Sequence, residues 1–250
     1  MKNDRRLIAV SVRKLVLLLG SGAVLLTVLS LLTETVIQNS GLRRNRVIAL
    51  VFVYRDDSVP SWYASLLLLA CCVTLAVIAY DRWISGSDHR LGWAGLAAIF
   101  AYLSMDEAVS VHESFMLVGR IMLGAIGVGQ DGPISRAWVV PAILVLLVVC
   151  AVYARFFLAL PGGTKLLFAL AFGVFFGGAV GMEIASDFFA YSLGGADNLT
   201  GAQSQIRTIA FPHVEELMEM TGSIIFLYTF LDYFIKNLGA PVYSFKINRR

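Results

Sequence analysis

The chain has 250 residues, 58% of them hydrophobic and 15% charged, with a mean hydropathy of +0.76 and a formal net charge of +3. Soluble domains carry about a quarter charged residues, so a soluble domain with a single anchor is excluded, and so modest a charge does not point to nucleic acid. What remains is an all-α integral membrane helical bundle; no stretch between the apolar runs is long enough for a second folded domain, so residues 1–250 read as a single transmembrane domain.

The basic start Met1-Lys2-Asn3-Asp4-Arg5-Arg6 precedes an apolar run at about 15–38. That run is of spanning length, longer than a signal-peptide core and without a small-residue cleavage site. It reads as the first span, with Glu34 near its outer end. In the following loop Val47 to Tyr54 is too short to cross and is β-branched, which suggests an interfacial or strand-like piece packed on the bundle. Arg55 to Pro60 reads as a turn. Ser61-Trp62-Tyr63 opens the second span, 61–80, with Pro60 just ahead of it and aromatics at the interface.

The third span, 91–118, has an uncharged first part and then Asp106-Glu107-Ala108-Val109-Ser110-Val111-His112-Glu113. Read as one continuous helix, Asp106, Ser110 and Glu113 share a face and His112 points elsewhere. Gly124 to Arg136 is an outer loop. The fourth span, 137–160, is apolar apart from Arg155 and reads as a lipid-facing wall. In the fifth, 166–193, Gly173, Gly177 and Gly181 recur every fourth residue, a stripe that would let two spans approach closely, and Glu183 and Asp187 share a face beside it. The sixth, 209–235, opens with Pro212-His213-Val214-Glu215-Glu216-Leu217-Met218-Glu219. Cys71, Cys72 and Cys150 sit in apolar runs and read as small buried hydrophobes.

Six spans with both termini inside place thirteen basic residues on the cytoplasmic side: Lys2, Arg5, Arg6, Arg13, Lys14, Arg82, Arg90, Arg155, Lys165, Lys236, Lys246, Arg249 and Arg250. The outer side takes seven: Arg43, Arg44, Arg46, Arg55, Arg120, Arg136 and Arg207. That asymmetry follows the positive-inside rule. Under this topology Glu34, Asp106, Glu107, Glu113, Glu183, Asp187, Glu215, Glu216 and Glu219 share one layer in the outer half of the membrane, with His112 and His213 at matching depth. Arg120 and Arg207 are the cations nearby.

Carboxylates so placed cannot all stay ionised in a low dielectric unless water or a cation reaches them. A divalent metal ion (zinc, iron or manganese) would serve, and Asp106, Glu113, Glu183, His213 and Glu216 are the expected ligands. Glu107, His112, Asp187 and Glu219 are then the residues for acid–base work on a lipid or other membrane-soluble substrate. Plainer readings stand beside these. Asp106 with Glu113 could form a water-lined seam, Glu183 and Asp187 could pair with Arg207 or cap loop backbone, His213 could be an interfacial histidine, and Glu215 could be solvated at its helix start. Asp56 and Asp57 read as turn residues on the same side. Rival functions are ion- or proton-coupled transport, which would need polar groups in the inner halves too, and a non-catalytic assembly or sensor protein.

Asp57 to Ser65, Ser104 to Glu113 and Glu215 to Gly222 together resemble a group of uncharacterised bacterial multi-pass membrane proteins with D-E-x4-H-E and E-E-x2-E signatures. The resemblance covers most of the chain from about residue 50, brings no known activity and implies that these motifs form one site; the expected location is a bacterial inner membrane. Zinc-dependent intramembrane hydrolases of the ceramidase and adiponectin-receptor type also invite comparison. They use three histidines including an H-x3-H pair, whereas this chain has His89, His112 and His213 and no such pair.

Overall fold

The computed structural model describes residues 11–40, 46–87, 89–129 and 132–238, and among them every regular element is helical. In chain order these are α1 (Val12–Ser40), α2 (Arg46–Ala49), α3 (Val59–Ile84), α4 (Arg90–Val109), a 3-10 turn (Val111–Phe115), α5 (Met116–Ala125) and α6 (Val139–Ala159). Then come α7 (Gly162–Phe176), a π-helical stretch (Gly177–Met182), α8 (Glu183–Ser192), α9 (Gly201–Gln205), a second π-helical stretch (Ile206–Ala210) and α10 (Phe211–Leu238). Residues 47–54 are no strand. One turn of helix is followed by tight turns that bury Phe52 and Val53 against the bundle.

Four helical runs are long and apolar enough to cross a membrane: Val12–Gln38, Val59–Ile84, Val139–Ala159 and the continuous Gly162–Ser192. Arg90–Val109 passes only together with Val111–Ala125, and the two are bent by 87°, which makes up to five. The sixth expected span, α10, falls short by composition. It opens on His213, Glu215, Glu216 and Glu219 and closes on Asp232 and Lys236. It is also the inner helix, packed on α1, α3, α7 and the first π-helical stretch, while Lys236 near its far end stays exposed.

Local chemistry sets the ends. Ser58 caps α3, its hydroxyl accepting the Ser61 N–H at 3.2 Å, and Pro60 occupies the first turn, where its missing N–H costs nothing. α3 and α4 form the most closely packed helix pair. Ser65 and Ser104 zip them, the Ser65 hydroxyl donating to the Ser104 carbonyl at 2.7 Å and the Ser104 hydroxyl to the Ser65 carbonyl at 2.9 Å. At the far end Arg82 Nη2 donates to the Tyr233 hydroxyl at 3.1 Å, tying α3 to α10. Between these ends an aromatic core gathers Trp93, Phe100, Phe175, Phe226, Phe230 and Tyr233.

The close approach of the fifth run to α10 is not made by the stripe of Gly173, Gly177 and Gly181. A Cβ on Gly173 would meet nothing within 4 Å, and one on Gly177 would touch only the flexible end of Met218. The tight positions are Gly178, where a Cβ would stand 2.9 Å from the Glu215 carbonyl, and Gly222, 2.6 Å from the Phe175 backbone nitrogen. The π-helical stretch after Phe176 widens the turn, so the fourfold spacing no longer marks one face.

α6 is held differently. Its main backbone neighbour is α5. Elsewhere it is bridged by side chains: Phe156 against Trp93 (5.1 Å between ring centres) and Phe157 against Phe168 (5.7 Å). Its middle stands off the bundle, and the space between is the cavity described next.

Candidate functional site

The third expected span breaks at Ser110. Its φ of 52° is the one left-handed non-glycine backbone among the described residues, a conformation that costs about 1 kcal/mol or more unless the surroundings impose it. Here Asp106 imposes it. Its carbonyl accepts the Ser110 N–H at 2.7 Å, its Oδ1 accepts the His112 N–H at 2.7 Å, and its Oδ2 lies 3.0 Å from His112 Nδ1. The carboxylate thus caps the start of the next turn and folds the imidazole back on itself. Asp106 and Glu113 consequently do not share the face of a continuous helix, and His112 points toward Asp106 instead of away from it. Glu113 is left exposed. The His112 ring also packs on Trp138, 4.5 Å between ring centres.

Glu183 opens α8, one turn before Asp187. Asp187 is buried, and its carboxylate is fully engaged: Oδ2 accepts the N–H groups of Ser135 (2.7 Å) and Arg136 (2.8 Å), and Oδ1 accepts the Ser135 hydroxyl (2.6 Å). It clamps the segment leading into α6. Arg136 Nη1 stands 2.5 Å from Glu183 Oε2, an ion pair without hydrogen-bond alignment, and Arg207 Nη2 stands 3.6 Å from Asp187 Oδ1. Glu183 and Asp187 therefore have two arginines between them. The backbone-capping role expected as the plainer alternative for Asp187 is the geometry found.

His213 is buried and both ring nitrogens are occupied. Nδ1 is 2.7 Å from the Ile209 carbonyl, and Nε2 is 2.8 Å from Ser30 Oγ. A carbonyl can only accept, so Nδ1 carries the proton and Nε2 accepts from the Ser30 hydroxyl. Ser30 Oγ in turn accepts the Val53 N–H at 3.2 Å. The chain of bonds ties α1, the 50–54 segment and α10 together. Tyr54 packs edge-on to the same ring and donates from its hydroxyl to Glu34 Oε2 at 2.9 Å.

One cavity of about 1540 Å³ joins these parts. Asp106, Glu107, His112, Glu113, Glu183, Glu216 and Glu219 line it; Asp187 and His213 do not. Glu34, Asp56, Glu215, Arg136 and Arg207 line the same end. The remainder is apolar, with Leu146, Val149, Phe157, Phe168, Phe172 and Phe226 among its walls. Glu216 and Glu219 are partly buried and line the cavity, in the field of Glu107, Glu183 and Glu215. Among the described residues neither has a hydrogen-bond or ion-pair partner. Both π-helical stretches end beside this region, the first handing over to Glu183 and the second to α10. Such widened turns recur at functional sites.

Three of the expected metal ligands have other partners. Asp106 is spent on His112, Glu183 pairs with Arg136, and His213 has no free nitrogen. Among the described residues no three His, Cys, Asp or Glu side chains are grouped to hold a metal ion. Three of the five expected ligands are thus engaged with other partners.

Several participants escape a reading of the sequence alone. Arg136 looks like an ordinary outer-loop cation, and Ser30 and Tyr54 carry no motif. Asp56, which reads as a turn residue, reaches the cavity. Glu215, which reads as a solvated helix-start acid, lines it too. The proximity of Pro133 and Gly132 to Ser135 and Arg136 signals a turn, but nothing local reveals that Asp187 will hold it.

No curated protein and no solved structure matches this chain. One family model does, over residues 16–234, covering the cavity and every side chain described around it. The chain belongs to that family, the domain of unknown function DUF8692.

Proposed function

We propose that this membrane protein binds a membrane-soluble amphiphile, head group among the carboxylates and chain along the face of α6. One observation carries the reading: a single cavity of about 1540 Å³ runs from an acidic end to a wall of phenylalanines. Small-molecule pockets are usually about 300–1,000 Å³ and mostly apolar with a few placed polar groups, so this one has room for a lipid-sized molecule. The stand-off of α6, where Val139 at its start is the one buried residue, gives such a molecule a lateral route from the bilayer. The reading includes six crossings with α10 as the shielded inner one, both termini cytoplasmic and the acidic end outside. It places the protein in a bacterial inner membrane and routes no step through a metal.

The test uses Cys150, which lines the cavity on α6. A long-chain amphiphile should protect Cys150 from a membrane-permeant maleimide, and native mass spectrometry of the purified protein should show a bound lipid-like mass. Leu146→Trp, which narrows the cavity beside Cys150, should weaken both. Equal labelling with and without amphiphile, together with no bound mass, would overturn the reading.

A second reading, chemistry on the bound head group, is favoured by the Asp106–His112 pair. Asp106 at 3.0 Å fixes the imidazole through Nδ1, and Nε2 of this cavity-lining ring has no partner among the described residues, the arrangement of an oriented general base. His112→Asn should then stop turnover of the amphiphile while leaving its binding within about threefold. Unchanged turnover would remove His112 from the reaction.

A further inference from the structure

We infer that the head group is a protonated amine, so that the ligand class is a long-chain cationic amphiphile; this rests on the cavity-binding reading above. The acidic lining alone would not carry this. What adds to it is Glu216 and Glu219, which are partly buried, line the cavity and have no hydrogen-bond or ion-pair partner among the described residues. A buried polar group without a partner is costly, and an ionised one far more so. The two arginines on the same wall do not relieve them: Arg136 is taken by Glu183, and Arg207 stands by Asp187.

The chemistry of the unfilled partner follows. An ionised carboxylate only accepts hydrogen bonds, so a head that holds these two in their charged form must donate and bring positive charge. A primary ammonium offers three donors and a positive charge, and charge-assisted bonds are roughly twice as strong as neutral ones. A phosphate or carboxylate head would meet the unpaired glutamates with like charge. A metal ion would need grouped ligands that the described residues do not offer. Phe226 follows Glu219 by two turns of α10 and lines the same cavity with Phe172. This aromatic wall takes a hydrocarbon chain and also tolerates a cation at its edge.

The experiment measures displacement of a fluorescent fatty probe from the purified full chain by stearylamine, stearyl alcohol and stearyl phosphate. Wild type is run beside Leu146→Trp, Glu216→Gln and Glu219→Gln. Stearylamine should bind at least about tenfold more tightly than the alcohol, and the phosphate should be weakest. Each Gln variant, isosteric and uncharged, should erase the preference for the amine, leave alcohol binding unchanged and melt no lower than wild type. Equal affinity for amine and alcohol, or preference for the phosphate, would overturn the amine assignment while the cavity reading stands. If no stearyl compound is distinguished from its behaviour with Leu146→Trp, the cavity reading itself falls. A Gln variant that loses amine and alcohol binding alike would show a structural role for that glutamate and would also count against the amine.

Discussion

Asp106 spends both carboxylate oxygens on one residue: Oδ1 takes the His112 N–H at 2.7 Å and Oδ2 meets His112 Nδ1 at 3.0 Å. Only the left-handed turn at Ser110 brings the two that close. The corner between α4 and α5 therefore depends on this side chain. Asp106→Ala should cost about 1–3 kcal/mol, the range for a lost cap and stranded donor. Asp106→Asn keeps one acceptor and should cost less. Ser110→Gly relaxes the backbone strain and should be neutral or stabilising. Thermal melting in detergent of the three variants checks the order; an Asp106→Ala protein as stable as wild type would mean the corner is held by packing.

The clamp at Asp187 should be the most sensitive polar position. Its carboxylate satisfies three donors, Ser135 N, Ser135 Oγ and Arg136 N, and truncation strands all of them next to Arg136 and Arg207. Asp187→Ala should destabilise by about 3 kcal/mol or more. Glu183→Gln, which weakens one ion pair at the cavity wall, should cost less than half as much. The same melting series distinguishes them.

How much of this could be read from the residues depends on range. Span lengths and the positions of acids within them suffice to suggest that α4, α8 and α10 deliver carboxylates to one depth, because an apolar run fixes where its charged end must lie. The geometry inside that layer is another matter. A fourfold glycine repeat predicts one face only if the helix stays α, and the π-helical turn from Gly177 breaks that premise. His112 reads as pointing away from Asp106 only if the helix continues past Ser110. His213 looks like a free ligand because Ser30 and Val53, which complete its bonds, lie far away in the chain. Arg136 looks like a loop cation because its partner Glu183 lies two helices further along the chain.

The shift of the glycine contact yields its own prediction. Gly178→Ala pushes a methyl into the Glu215 carbonyl, and Gly222→Ala into the Phe175 backbone; neither neighbour can step aside cheaply. Each should cost about 1–3 kcal/mol, the range for overpacking. Gly173→Ala meets open space and should gain a few tenths from helix propensity. Comparable losses at Gly173 and Gly178 would mean that the fifth run packs through the regular stripe.

Chelation should leave the protein unmoved. With His213 bonded at both nitrogens and Asp106 and Glu183 engaged, EDTA should not shift the melting temperature, and zinc, iron and manganese should be substoichiometric by elemental analysis. A folded-state metal at a hundredfold excess over its dissociation constant would add about 2.7 kcal/mol, an effect too large to miss. Ser30→Ala, by contrast, should lower stability by about 1 kcal/mol through loss of a buried hydrogen bond to His213. A fall in melting on chelation that His213→Ala removes would restore the metal reading.

The last prediction concerns α10, which its composition alone does not mark as a crossing. Its 28 residues extend about 42 Å at 1.5 Å per residue, more than the roughly 30 Å of a bilayer's apolar core. Its first turns lie at the acidic end, and its last turns meet Arg82 at the opposite end of α3. It therefore traverses the full height of the bundle between them. If α3 crosses the membrane, α10 crosses it too, shielded by α1, α3 and α7. Reporter fusions should place Gly162 and the C-terminus in the cytoplasm and Asn198 outside. A C-terminus on the same side as Asn198 would mean that α10 does not cross. The acidic cavity would then have to open to a different compartment from the one that the basic residues indicate.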